Sequence, residues 1–234
     1  MKKKTNTKLN IEVWSDFVCP FCYIGEKQLE QALKNFAHRD EVNIQMRAYE
    51  LDENAPCTWG DSVLGEKGSA DYAENVRFWD KIQNLAATVN LHYDVEHLCH
   101  VNTYDAHRIG VLADIDGLRG KFSEKVFNAF FVQARNIADK SVLKELAVAS
   151  GVAGEAVDKL LSSDLYGSDV REEEQKAEDL KVEIIPTIII NGKHRIGGVL
   201  HVADIVALLE KAYADEAPDD EIISGPACGI HGCK

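Results

Sequence analysis

Cys19 and Cys22 stand two residues apart in the run Trp14-Ser15-Asp16-Phe17-Val18-Cys19-Pro20-Phe21-Cys22-Tyr23. Thiols at this spacing serve one of two chemistries. They exchange with disulfides, one attacking and one resolving, or they supply half of a tetrahedral zinc site. The elements that carry them discriminate. Leu9 to Trp14 alternates apolar and polar side chains, the period of a half-buried strand. After the pair, Ile24, Leu29, Ala32, Leu33 and Phe36 recur with Lys27, Glu30, Gln31 and Lys34 between them, the period of an amphipathic helix. The cysteines therefore fall where a strand turns into a helix. A helix N-terminus offers free N–H groups and the positive end of the macrodipole, and both favour a thiolate. Cys19, at or just before the first turn, is expected to be exposed and to be the nucleophile with a lowered pKa; Cys22 is the resolving thiol one turn in. Pro20 suits the first helical position, where a missing N–H costs nothing. Zinc pairs usually lie in Gly- and Lys-rich loops, so this context favours redox chemistry.

The wider pattern Ser15 to Gly25 (Ser-Asp-Phe-Val-Cys-Pro-Phe-Cys-Tyr-Ile-Gly) resembles the DsbA branch of the thioredoxin superfamily, and within it the FrnE-like dithiol–disulfide isomerases. Three later segments agree: Tyr49-Glu50-Leu51, Asn102 to Arg108, and Ile185-Pro186-Thr187 ahead of an Asn191-Gly192 turn. Together they span roughly residues 10 to 210. The resemblance implies an α/β protein, a thioredoxin fold with a large all-helical insertion. Its expected limits are 9–55 and 181–213 for the discontinuous thioredoxin-fold domain, 56–180 for the insertion and 214–234 for a tail. The implied activity is thiol–disulfide exchange with protein substrates, as an oxidoreductase or isomerase that needs no organic cofactor and no metal. Pro186 is implied to be cis and to lie against the dithiol, with Ile185 before it where substrate backbone pairs. Pro20 and Phe21, between the cysteines, tune the pair.

The bulk numbers narrow the field further. A chain of 234 residues can bury a full core without structural disulfides, and 45% hydrophobic with 28% charged residues is an ordinary globular composition. A net charge of −13 argues against a nucleic-acid surface. Met1-Lys2-Lys3-Lys4-Thr5-Asn6-Thr7 resembles the basic start of a signal peptide, but no apolar region follows, nor any run long enough for a membrane span. A cytoplasmic monomer acting on thiols and disulfides is expected, with no nucleic-acid or membrane partner. In that compartment the six cysteines do not read as a disulfide framework.

Along the chain, Val42 to Tyr49 reads as a second strand and residues 52 to 68 as a loop punctuated by Pro56, Gly60, Gly65 and Gly68. Ser69 is positioned to cap a helix through Asn90, with Tyr72, Val76, Trp79, Ile82, Leu85 and Ala86 on one face. Helices follow from Thr103, through the buried aromatic set Phe122, Phe127, Phe130 and Phe131, then over 141–150, 155–162 and 169–180. The charged run Arg171 to Lys176 reads as a solvated face. Ile188–Ile190, Asn191-Gly192 and His194–Ile196 signal a hairpin, and Ala203 to Tyr213 a closing helix.

Other candidates carry two readings each. Asp16 is a proton acceptor for Cys22 or a cap for the following turn. His107 and Arg108 lie in an exposed first helical turn, or they face the dithiol and position substrate or tune Cys19. Cys57 reads as an isolated thiol, and His97, Cys99 and His100 as a local surface segment rather than a metal site. In the tail, acidic residues 215–221 precede Cys228-Gly229-Ile230-His231-Gly232-Cys233. Cys228 and Cys233 are either incidental thiols on a disordered terminus or an auxiliary dithiol that relays electrons to or from Cys19–Cys22, with His231 helping to hold the thiolate. Two rival functions stand beside exchange. One is a 2-hydroxychromene-2-carboxylate isomerase or kappa-class glutathione transferase relative, families that typically place serine where Cys19 stands. The other is a zinc-binding non-enzyme using Cys19, Cys22, Cys228 and Cys233.

Overall fold

The computed structural model describes residues 7–216, 223–229 and 232–233. The basic start at residues 1–6, most of the acidic stretch (217–222) and His231 lie outside the described residues. In chain order the elements are β1 (Leu9–Ser15), α1 (Pro20–Asn35), β2 (Val42–Ala48), α2 (Tyr72–Ala87), α3 (Tyr104–Asp114), α4 (Arg119–Phe127), α5 (Lys140–Ser150), α6 (Gly154–Leu161), α7 (Gly167–Asp179), β3 (Thr187–Ile190), β4 (His194–Gly197), α8 (Val202–Tyr213), β5 (Ile223–Ser224), β6 (Cys228–Gly229) and β7 (Gly232–Cys233). This is the α/β thioredoxin architecture with a helical insertion that the resemblance implies.

The main sheet runs β2-β1-β3-β4-β5. β1 pairs parallel with β2 and antiparallel with β3, β3 antiparallel with β4, and β4 parallel with β5. Alternation in β1 buries Leu9, Ile11 and Val13 on the face covered by α1 and α8, where they meet Leu29, Phe36, Ile188, Ile205 and Leu209. Each such side chain contributes roughly 1.5–3 kcal/mol by leaving water. Past Val13 the alternation ends, because Trp14 and Ser15 are also buried. The insertion covers the other face there, and Trp14 joins its core. That is what holds the strand-to-helix switch between two cores.

Several expectations are corrected. The helix after the loop begins at Tyr72 with Asp71 at its N-cap position, so Ser69 does not cap it. The hairpin is where the pattern puts it, with Ile190 paired to His194 around Asn191 to Lys193. Asn191 and Gly192 both take positive φ, 51° and 69°, which only such residues adopt cheaply. The aromatic helix ends in a π-helical turn over Asn128–Val132. The run Arg171 to Lys176 is a solvated face only in part: Arg171, Glu172 and Gln175 are exposed, but Glu173 and Glu174 turn to the sheet. Glu173 accepts from Arg119, from Arg47 and from the Ala48 backbone N–H at 2.7 Å. Glu174 accepts from the Glu50 N–H, Arg171 pairs with Glu50, and Lys176 with Glu12. The charges lace α7 to the β1–β2 edge. Burial opposes the Glu173 carboxylate, but Arg119, Ala48 and Arg47 outweigh it and hold its pKa below the usual range.

Candidate active site

Cys19 occupies the N-cap position of α1 with extended backbone (φ −84°, ψ 114°), and Pro20 fills the first turn. The turn is closed by the backbone. Cys19 N–H donates to Asp16 O and Cys22 N–H to Cys19 O, both at 3.1 Å. From the insertion, the Tyr93 hydroxyl donates to Pro20 O at 2.9 Å, tying the helix start to the helical layer. Phe21 lies edge-on to Phe78 of α2, with ring centroids 6.5 Å apart.

The peptide bond Ile185-Pro186 is cis, as the resemblance implies. Cys19 Sγ donates to Ile185 O at 3.8 Å. The Pro186 ring lies over Gly25 of α1, where an added Cβ would come within 2.9 Å of Pro186 Cγ. Only glycine admits this approach, and a glycine inside a helix costs about 1 kcal/mol against alanine. A glycine inside a helical pattern is the signal that could have marked Gly25, which the sequence reading did not single out as a contact point.

Cys22 is buried one turn into the helix. Burial pushes its thiol well above the ordinary value, and the hydrogen bond and charge of Cys19 reinforce this against opposing contacts from Ser15 and the Asp16 backbone. Cys19 is not the exposed thiol expected of a helix N-terminus: its exposure is 0%, and that of Cys22 is 2%.

Asp16 neither caps α1 with its side chain nor hydrogen-bonds Cys22 through its carboxylate. Its carboxylate accepts from Leu51 N–H at 2.8 Å and faces His107 Nε2 at 3.3 Å. His107 also packs against Phe17, with centroids 4.8 Å apart and the rings tilted by 32°. Both His107 and Arg108 are buried, which overturns their reading as an exposed turn. Their roles separate. His107 belongs to the Asp16 corner beside the dithiol, while Arg108 donates to Asp105 and to the carbonyls of Leu160, Ser163 and Leu165 on the far side of α3. The next residue to Leu51, Glu50, is buried as well, and burial raises its carboxyl pKa. Sequence reasoning missed Tyr93 and gave Leu51 no role beyond its matching segment; their contributions are a hydroxyl and a backbone N–H brought from segments distant in sequence.

Cys228 and Cys233 form a disulfide that closes the β6–β7 hairpin, so they do not complete a four-cysteine zinc set with Cys19 and Cys22. Among the described residues no group of three or more His, Cys, Asp or Glu side chains is placed to hold a metal ion, the His97–His100 segment included. Cys57 and Cys99 are free thiols. The hairpin is packed against the active centre: Ile185 N–H donates to Cys228 O at 2.7 Å and Cys228 N–H to Ile185 O at 2.9 Å. One carbonyl, that of Ile185, thus takes both Cys19 Sγ and the Cys228 amide. Beside it opens a cleft of about 640 Å³ lined by Val18 and Pro20, by Phe78 and Trp79 of α2, and by Gly229 and Cys233 of the tail.

The DSBA-like thioredoxin domain family matches residues 10–214 of the chain. The chain is 27% identical over 210 residues to the uncharacterized protein YwbO of Bacillus subtilis (strain 168), covering 89% of this chain and 97% of that protein. Its structure is similar to the crystal structure of a probable DsbA oxidoreductase from Streptomyces coelicolor, with TM-score 0.82 and 28% identity over 97% of this chain and 98% of that one. A 2-hydroxychromene-2-carboxylate isomerase shares the fold at TM-score 0.66 and 17% identity, covering 88% of this chain and 95% of the other. Residues 223–233 lie beyond the family's matched range.

Proposed function

The chain belongs to the DSBA-like thioredoxin domain family and is an oxidoreductase of that kind; from this premise we propose that it exchanges disulfides with protein substrates through Cys19 and Cys22. The Cys19 thiolate attacks one sulfur of a substrate disulfide. The substrate S–S bond breaks, a Cys19–substrate bond forms, and the other substrate sulfur leaves as a thiolate that takes a proton. Cys22 then gives up its proton and attacks Cys19, closing the Cys19–Cys22 bond and releasing the second substrate thiol. The substrate gains two electrons and the dithiol loses two; the reverse sequence makes disulfides.

The observation that carries this reading is the asymmetry of the pair. Both sulfurs are buried, but Cys22 lies one turn inside the helix, its thiol pKa pushed up by burial and by Cys19, whereas Cys19 stands at the helix cap against Ile185 O. That order supports first attack from Cys19 and resolution by Cys22. Ile185 and Pro186 form the wall of the site, with Pro20 and Phe21 setting the turn between the sulfurs. Asp16 and His107 position the loop ahead of Cys19. Arg108 is assigned to the packing of α3 on residues 160–165. In this reading residues 9–55 and 181–213 carry the chemistry, 56–180 form the lid, and the protein works as a cytoplasmic monomer on thiols and disulfides.

The tail disulfide adds a relay. Cys228 and Cys19 share the Ile185 carbonyl. Attack of Cys19 on the Cys228–Cys233 bond would break it and form a mixed disulfide with one tail sulfur while the other leaves as a thiolate. Attack of Cys22 on Cys19 would then close Cys19–Cys22 and release the second tail thiol, moving two electrons from the main pair to the tail; the reverse sequence would return them. The isomerase fold likeness does not compete here, because residue 19 is cysteine and its resolving partner is in place. The test is reduction of insulin. Cys19→Ser is expected to abolish it with the fold intact, and Cys22→Ser to accumulate mixed disulfides on Cys19. Full activity in the Cys19 variant would sink the assignment; absence of any adduct in the Cys22 variant would reverse the order of roles. Equal rates of Cys19–Cys22 re-oxidation with and without Cys228 and Cys233 would remove the relay.

A further inference from the structure

A nucleophile with 0% exposure cannot meet an external disulfide as it stands. This protein's own tail is seated on the residue beside it: Ile185, whose carbonyl accepts from Cys19 Sγ, also bridges Cys228. Ile185 precedes Pro186 just ahead of β3, and its N–H and C=O are not used in the pairing of β3 with β1 or β4. Both are taken by Cys228 in an antiparallel bridge. An unpaired strand edge of this kind is where an extended peptide adds to a sheet, its main chain supplying affinity. Here the added strand comes in cis.

The seat is specific to this segment. Val199 N–H donates to Pro226 O at 3.0 Å and Gly225 N–H to Gly197 O at 2.8 Å, extending the contact along the end of β4. Backbone meets backbone so closely that side chains are excluded. A Cβ on Gly225 would lie 1.8 Å from Val199 O, one on Gly198 2.4 Å from Gly225 O, and one on Gly229 2.6 Å from Glu183 O. Three glycines over one docking line mark a segment shaped to lie there. Ala227 and Cys228 are buried by it, at 6% and 0% exposure.

We propose that residues 225–229 are a latch on the active centre: they occupy the backbone-pairing edge at Ile185 and cover Cys19, and an extended polypeptide strand carrying a disulfide gains Cys19 by displacing them. The inference rests on the exchange reading and names its partner, a polypeptide in extended conformation next to its disulfide. Such a strand satisfies Ile185 N–H and C=O in place of Cys228, so no buried backbone group is orphaned by the swap. A compact disulfide without an extended backbone makes no such bonds and has no means of opening the latch.

The test uses the full chain and two independent variants, Gly225→Val and Gly229→Val, whose side chains cannot fit the docked seat. Thermal melts and far-ultraviolet circular dichroism establish that each folds, and hydrogen exchange at the Ile185 amide reports release of the tail. Two rates are then read by mass spectrometry: alkylation of Cys19 by iodoacetamide, and exchange with a synthetic extended peptide disulfide against glutathione disulfide. Loss of about two backbone bonds predicts a rise in Cys19 alkylation on the order of tenfold in both variants. It also predicts that the wild type prefers the peptide disulfide and that the variants lose part of that preference. Unchanged alkylation in variants whose Ile185 amide exchanges freely would overturn the latch. Faster alkylation with no exchange toward either disulfide would uphold the latch and refute the exchange reading instead.

Discussion

Replacing Glu26 by glutamine is expected to make the protein less sensitive to alkaline pH. Glu26 lies one turn beyond Cys22 on α1, and its Oε2 is buried with no hydrogen-bond partner. Burial raises its carboxyl pKa to about 8; Lys27 lowers it a little, and Glu124 and Glu30 add to the rise. In the unfolded chain a glutamate titrates near 4.3. Between those values the folded state holds a proton that the unfolded state has released, so stability falls as pH rises. The stability is fully present below about pH 4.3, lost progressively up to about pH 8 and level above it. Linkage over that whole window comes to about 5 kcal/mol. The residue is only partly buried as a whole, so water and side-chain movement reduce the penalty, and roughly 1–3 kcal/mol is the expected loss. Glutamine mimics the neutral acid and does not titrate. Urea unfolding of both proteins at pH 5 and pH 8 isolates the difference, since every other group is shared. The variant should gain about 1–3 kcal/mol on the wild type between the two pH values. Parallel pH profiles would show that Glu26 is solvated and ionised in the native protein, and the reasoning from its buried oxygen would fail.

Glu173 has the opposite sign. Its carboxylate pKa is held low, so its contribution is present above the unfolded value near 4.3 and is lost as pH falls through the folded one. Glu173→Gln leaves Arg119 buried without a counter-charge, and a loss of about 3 kcal/mol is expected in urea unfolding at pH 7; a loss below about 1 kcal/mol would mean that Arg47 and water replace the pair. Pro186→Ala removes the ring seated on Gly25 and is expected to slow exchange with a protein substrate on the order of tenfold, with circular dichroism unchanged. Unaltered kinetics would show that this wall does not place the substrate.

The candidate chemistry and its local frame are legible without the fold. Alternation in Leu9–Trp14, helical spacing from Ile24 and a Cys-Pro-Phe-Cys turn between them are short-range patterns, and short-range sterics and hydrogen bonding decide such elements. Ile185-Pro186-Thr187 and the Asn191-Gly192 turn were legible for the same reason. The tertiary structure alone decided which of these pieces face one another. His107 and Arg108 are neighbours in one helix, yet one reaches the Asp16 corner and the other the carbonyls of residues 160–165, because adjacent residues on a helix point about 100° apart. Arg171 to Lys176 carries charges typical of a solvated face, but partners supplied by β1, β2 and α4 turn it into a docking surface. The helix-terminal position of Cys19 suggested an exposed thiol, and its 0% exposure comes from segments remote in sequence. Burial and pairing are properties of what the rest of the chain brings to a residue, and no local pattern records that. The tail shows the division most plainly: its cysteine spacing was visible, but its place over Ile185 depends on backbone groups left open by β3 and β4, which exist only once the sheet is formed.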